Sequence, residues 1–232
     1  MTITEAVKMK RNSLAAVFLV GALGAVSASA ADLSADFSAV GTQSSSNVWT
    51  YGYSSSAGAG YAMTLFDTSN GAGWSMSNYN MLGTPAVWKN TGTGDAYGAA
   101  PGQVVLHPGP LSFGDVTIVR FTAGAAGTYA VAGQFFAGDS GDMSAAVVLN
   151  GDALHPLQSY GSTNNSPSLA SFQQYLGAGQ TLDFVVGNNG SFYSGNTPIA
   201  VTINAVPEPE SYAMLFAGLG LLGFLARRKQ AA

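Results

Sequence analysis

Thr128-Tyr129-Ala130-Val131-Ala132-Gly133-Gln134-Phe135-Phe136 alternates residue by residue: Tyr129, Val131, Gly133 and Phe135 fall on one side, small or polar residues on the other. Side chains of an extended chain point to opposite faces in turn, so a period of two makes a strand with one face against a core. The pattern recurs on both sides of this stretch. Thr181 to Val186 sets Leu182, Phe184 and Val186 together, and Ile199, Val201 and Ile203 do the same. Asn47 to Tyr53, Tyr61 to Phe66, Gln103 to His107, Asp115 to Phe121 and Ala145 to Asn150 are further candidates. Asn150-Gly151 and Asn189-Gly190 supply residues that accept the left-handed backbone of tight turns. No helical period interrupts the series between the two ends of the chain. Many short strands at near-regular spacing predict an all-β fold, an antiparallel β-sandwich or jelly roll. Ser69 to Gly102, richest in Gly and Asn, reads as long loops carrying Trp74 and Trp88.

Residues 32–205 are one domain's worth of chain and enough to bury a sizeable core. Within them nine aspartates face only Lys89 and Arg120, a net charge of about −7 that basic residues at the two ends conceal in the whole-chain value of −4. Such a surface is a poor partner for nucleic acid or anionic lipid. The chain has no cysteine, so stability in an oxidising compartment rests on the core alone.

Both ends read as targeting segments. Lys8, Lys10 and Arg11 precede an apolar run from Leu14 to Val26, and Ala28-Ser29-Ala30 gives the small residues of an A-x-A cleavage site before Ala31. This is the pattern of a secretory signal over residues 1–30. At the other end, Val206-Pro207-Glu208-Pro209-Glu210 leads into an apolar run from Tyr212 to Ala226, closed by Arg227-Arg228-Lys229. The run reaches roughly 22 Å as a helix, short against a hydrocarbon core of about 30 Å, so it just spans by thinning the bilayer or snorkelling. The basic triplet would stay in the cytoplasm. Pro207 and Pro209, with φ fixed and no N–H to donate, should hold the preceding segment extended.

The three parts of this tail, in this order, resemble the PEP-CTERM sorting signal of Gram-negative bacteria, with Pro207, Glu208 and Pro209 as its motif and Arg227, Arg228 and Lys229 as its basic anchor. The resemblance implies processing by an exosortase, an inner-membrane intermediate, and then a place on the cell surface or in an exopolysaccharide matrix. Within the domain, Asn47-Val48-Trp49-Thr50-Tyr51-Gly52-Tyr53, Leu106-His107-Pro108-Gly109, Val119-Arg120-Phe121, Ala126-Gly127-Thr128-Tyr129, Leu149-Asn150-Gly151 and Gly179 to Gly187 occur in an order similar to that of exported β-sandwich domains. Those domains look like carbohydrate-binding modules of the galactose-binding-like jelly-roll type, so the resemblance implies a β-sandwich that holds glycan.

Catalysis finds little support in the residues. Gly138-Asp139-Ser140-Gly141-Asp142 resembles the nucleophile loop of trypsin-like proteases, but a serine nucleophile needs a base with an orienting carboxylate. Only His107 and His155 are on offer, each followed by proline. The loop reads instead as a polar hairpin, and the chain as no enzyme. Asp139 and Asp142 are weak candidates for a structural Ca²⁺, which wants six to eight oxygens. The domain has no glutamate for an acid/base pair.

Aromatic residues remain. Sugars lay apolar C–H faces on aromatic rings while polar groups read their hydroxyls, which makes Trp74, Tyr79, Trp88 and Tyr97 candidates, with packing in the core the equal alternative for Trp74 and Trp88. Trp49, Tyr51 and Tyr53 share a strand face and read as core. Arg120 either pairs with an aspartate such as Asp183 or points into a ligand groove. The expectation is a non-catalytic, exopolysaccharide-associated or carbohydrate-binding surface protein. The alternatives are a structural surface protein without a small ligand and, behind it, a secreted polysaccharide or ester hydrolase.

Overall fold

The computed structural model describes residues 30–55, 62–77, 84–110, 116–207 and 209–230. Two antiparallel sheets face each other. In chain order the elements are β1 (Ala31–Asp32), α1 (Leu33–Asp36), β2 (Trp49–Ser54), β3 (Thr64–Leu65), β4 (Thr68–Ser69), β5 (Gly73–Ser75), β6 (Ala86–Lys89), β7 (Val104–His107), β8 (Val116–Thr122) and β9 (Gly127–Phe135). They continue with β10 (Ser144–Leu149), β11 (Gln158–Tyr160), β12 (Ser168–Leu176), β13 (Thr181–Gly187), β14 (Thr197–Val206) and α2 (Pro209–Gln230). The larger sheet runs β12-β9-β14-β7-β6-β5-β4, with β1 also on β14, and the smaller runs β11-β10-β13-β8-β2-β3. The all-β sandwich expected from the alternation is the architecture found.

The core lies between the sheets because each supplies one apolar face. Tyr129, Val131 and Phe135 of β9 and Ile199, Val201 and Ile203 of β14 meet Leu182, Phe184 and Val186 of β13 and Trp49 and Tyr51 of β2. Exposed Ala200, Thr202 and Asn204 show the outer side of β14. Full burial of side chains this large stabilises by about 1.5–3 kcal/mol each. Trp49 lies edge-on to Phe121 at 5.5 Å between centroids, and Phe121 edge-on to Tyr129 at 5.6 Å.

The structure corrects two readings. Ser69 to Gly102 is not all loop, for β5 and β6 lie in it. Gly73 opposes Trp88 in that pair, where a Cβ would approach the Trp88 Cβ to 2.6 Å, so the glycine that suggested a loop is what lets the indole lie across the strand. Residues 136–143 are no hairpin either: β9 belongs to the larger sheet and β10 to the smaller, so the Gly138–Asp142 stretch crosses between sheets.

Candidate functional site

Trp88 and Tyr97 come together. In β6, Val87 faces the core, so Trp88 points to the outer face of the larger sheet, beside Val105 of β7. Its ring meets the Tyr97 ring edge-on at 6.1 Å. The indole Nε1 donates to Asn196 Oδ1 at 3.0 Å, and Asn196 Nδ2 donates to Asp139 Oδ2 at 3.0 Å, so residues from three distant segments fix the ring. Trp88 is half-buried, whereas Tyr97 is 71% and Tyr193, on the loop before Asn196, 68% exposed. The other carboxylate oxygen, Asp139 Oδ1, is enclosed without a hydrogen-bond partner among the described residues, an uncommon state for a buried acceptor.

His107 sits at the same end. Its Nδ1 lies 2.8 Å from the Pro108 carbonyl and must donate there, leaving Nε2 to accept the Gly195 N–H at 3.3 Å. Burial holds its pKa below the usual histidine value, partly opposed by the Pro108 bond and the Asp139 charge. Both ring nitrogens are thus committed, and neither contacts Ser140. His155 lies by Asp152 at 3.0 Å, exposed. The triad that the Gly138–Asp142 sequence suggested is not assembled.

At the far end of β14 the chain leaves the sandwich. Val206 pairs with Thr128, Pro207 is exposed and outside the strand, and Pro209 opens α2. Residues 205–229 match the PEP-CTERM protein-sorting motif. The tail is that sorting signal. A protein carrying PEP-CTERM is exported and directed to the cell surface. The sorting motif departs from expectation at Pro209, which is not extended but stands at the first helical position, where its missing N–H costs nothing. Glu208 lies outside the described residues. Arg227 and Arg228 are exposed in the last turns, and Lys229 lies in the same helix. The tail was expected to contribute a transmembrane helix; among the described residues no helix is long and apolar enough to cross a membrane. The apolar run falls about 8 Å short of a hydrocarbon core, and the ends of the 22-residue helix carry Glu210 and the basic triplet.

No curated protein matches this sequence. Solved structures resemble it in part. A native family 35 carbohydrate-binding module from Clostridium thermocellum is 14% identical over 48% of this chain and 82% of its own, TM-score 0.28. The GH26-CBM35 β-(1,4)-mannanase of Podospora anserina is 19% identical over 53% and 28%, TM-score 0.33. The PA14 domain of the MpAFP antifreeze protein is 13% identical over 73% and 88%, TM-score 0.29. With every one of these TM-scores below 0.5, the likenesses carry no argument about what this chain binds.

The other candidates lie elsewhere. Trp74 faces the core at 4% exposure, its Nε1 donating to the Ser38 carbonyl at 2.7 Å. With Trp49 and Tyr51 it lines a cleft of about 640 Å³ under residues 38–48. Tyr79 lies outside the described residues. Arg120 makes a two-pronged ion pair with Asp183, Nε to Oδ1 at 2.6 Å and Nη2 to Oδ2 at 2.7 Å, on directly opposed strand positions. Asp142 Oδ1 accepts from the Ser162 hydroxyl at 2.7 Å, and among the described residues no three His, Cys, Asp or Glu are grouped to hold a metal. Ala30 is exposed, Ala31 is buried in β1, and Ala28 lies outside the described residues. Sequence reasoning missed Asn196, and it named Asp139 only as a Ca²⁺ candidate and not as part of the Trp88 site; the two lie 108 and 51 residues from Trp88, and nothing local links them.

Proposed function

We propose that this protein is a non-catalytic component of the cell surface or extracellular matrix that holds glycan, the producing organism's exopolysaccharide first, through the patch around Trp88 and Tyr97. One observation carries the reading: the half-buried indole held by Asn196 beside exposed Tyr97 lies at the start of β14, and the sorting motif leaves from its end. Ten residues of strand separate them by about 33 Å. A protein held by its tail during sorting therefore presents the aromatic patch outward. A fixed indole next to amide and hydroxyl groups suits a neutral sugar ring. Exposed Phe216, Leu219, Leu221, Leu222 and Phe224 on α2 call for an apolar surround, which a membrane stage and an exosortase would provide before the tail is cut.

The test is binding of the exported, processed protein to the exopolysaccharide of the cells that make it, beside Trp88→Ala and Tyr97→Ala variants, with Ca²⁺ and with chelator because Asp139 Oδ1 is an acceptor without a partner among the described residues. Saturable binding, weakened at least tenfold in either variant, is expected. No binding by folded protein would favour the structural surface protein, a reading that the burial of Trp74 supports. Replacing Pro207, Glu208 and Pro209 by alanine should leave the protein unprocessed; unchanged surface display would remove the exosortase from the account.

A further inference from the structure

A strand at the margin of a sheet presents a row of unpaired N–H and C=O groups, and natural sheets keep such margins short, charged or broken by proline. Of the strands that end the two sheets among the described residues, β4 and β3 have two residues each and β11 three. The remaining one, β12, has nine, with neither a charge nor a proline in it. No Asp, Glu, Lys, Arg or His occurs anywhere in residues 156–182, although the domain around them carries a net charge of about −7.

The first half of β12 is already covered. Gln158 Nε2 donates to the Ala170 carbonyl at 2.7 Å and Gln158 Oε1 accepts the Ala170 N–H at 3.1 Å, as a neighbouring strand would. The Tyr160 hydroxyl donates to the Ser168 carbonyl at 3.1 Å. The second half differs. At the end of β9 the Phe135 N–H donates to Pro167, just before β12, and the Phe136 N–H donates to Pro198 of β14. Odd-numbered residues of β9 thus turn their backbone to β12 and even-numbered ones to β14. Gln173 lies opposite Ala130 and Tyr175 opposite Thr128, so Gln173 and Tyr175 turn their own N–H and C=O away from β9. Among the described residues only the Tyr175 carbonyl of these four groups has a partner, the Gln174 side-chain amide at 2.9 Å. The Tyr175 side chain is 59% exposed.

The geometry points to the second half of β12 as a seam between two copies of this chain. Gln173 of one copy exchanges both backbone bonds with Tyr175 of the other, and Tyr175 with Gln173, around a two-fold axis at Gln174. The Gln174 amide then gives up the Tyr175 carbonyl. Antiparallel pairing is the arrangement a two-fold axis makes, since each strand offers the other the same groups. The charges admit a copy here and nowhere better. Two domains of about −7 repel over most of their surfaces, but no like charges meet where residues 156–182 face themselves. The contact is four backbone bonds with each Tyr175 ring against Gln173 of the other copy, which belongs with weak interfaces. Strands β12 and β14 run parallel, each antiparallel to β9, so the seam sets the two β14 strands antiparallel. The two Trp88–Tyr97 patches then lie at opposite ends of the pair. That bivalence toward glycan rests on the reading of the patch as a glycan site; the pairing does not.

Sedimentation equilibrium of the exported protein recovered from producing cells, with no glycan present, reads the pairing over about 1–500 μM, where weak interfaces fall. A reversible monomer–dimer equilibrium with its Kd inside that range is expected, with slower hydrogen exchange at the Gln173 and Tyr175 N–H groups as dimer forms. Gln173→Pro removes an N–H that points away from β9, and Tyr175→Glu brings like charges to the seam; each should raise Kd at least tenfold. If Gln173→Pro fails to fold, Tyr175→Glu, at an exposed position, serves. Monomer at every concentration, a dimer unchanged in Tyr175→Glu, or a dimer without protection of those two amides would overturn the proposal. A dimer that holds no glycan would overturn only the reading of the patch.

Discussion

Asp183 is 0% exposed, and its carboxylate lies between strands with the Arg120 guanidinium against it. Truncating one partner of a buried pair leaves the other charged in a medium that solvates it badly, which costs about 3–5 kcal/mol, whereas replacing both with apolar groups is often neutral. Arg120→Ala should therefore lower the urea-unfolding free energy by about 3 kcal/mol, and Arg120→Leu with Asp183→Leu together should recover most of it. The pair was half legible in the sequence: a single arginine among the domain's aspartates needs a counter-charge, and Asp183 was one candidate, but only the register of β8 against β13 decides for it and against a ligand groove. His107 gives a second expectation. Its folded pKa is lowered, so the unfolded chain takes up a proton first as pH falls below the usual value of about 6.5. The stability due to neutral His107 is present above that pH and is lost as pH falls through the folded pKa. The melting temperature should drop between pH 7.5 and 5.5, with a shallower slope in His107→Asn.

At the scale of elements, the loop that carries Tyr97 rests on the crossover that carries Asp139. Gly98 has φ +78°, and a Cβ there would fall on the Gly138 carbonyl. Gly98→Ala should displace the loop and weaken glycan binding at least tenfold, while the core, which it does not touch, keeps the melting temperature within about 3 °C; calorimetry and a binding isotherm separate the two. Strands with clean alternation and a buried face, β9, β13 and β14, were readable from their residues alone. Strand β12 was not, because a register shift between Leu169 and Phe172 breaks its period and its outward residues are polar. Strands β5 and β6 were hidden by their shortness and by Gly73. As a site for sugar the patch was legible only in its aromatic members; Trp88 and Tyr97 lie nine residues apart, but the bonds that orient Trp88 come from the loop before β14 and the crossover after β9.

For the whole molecule, the sorting tail and the aromatic patch occupy opposite ends of one strand. On the proposed membrane stage, a fluorophore at Tyr193 should lie about 30 Å farther from the bilayer than one at Ala178, in the turn between β12 and β13 near Val206. Energy transfer to a lipid-borne acceptor reads this difference, and equal transfer from the two sites would contradict the outward placement of the patch. The same strand also decides how the molecule bears a mechanical pull. A force applied between the start of β14 and the chain that leaves its end runs along β14, whose ladder with β9 extends over eight residue pairs, Ile199–Phe135 to Val206–Thr128. Those bonds lie across the direction of pull and are sheared together, so the domain meets such a force along its strongest axis instead of being unzipped.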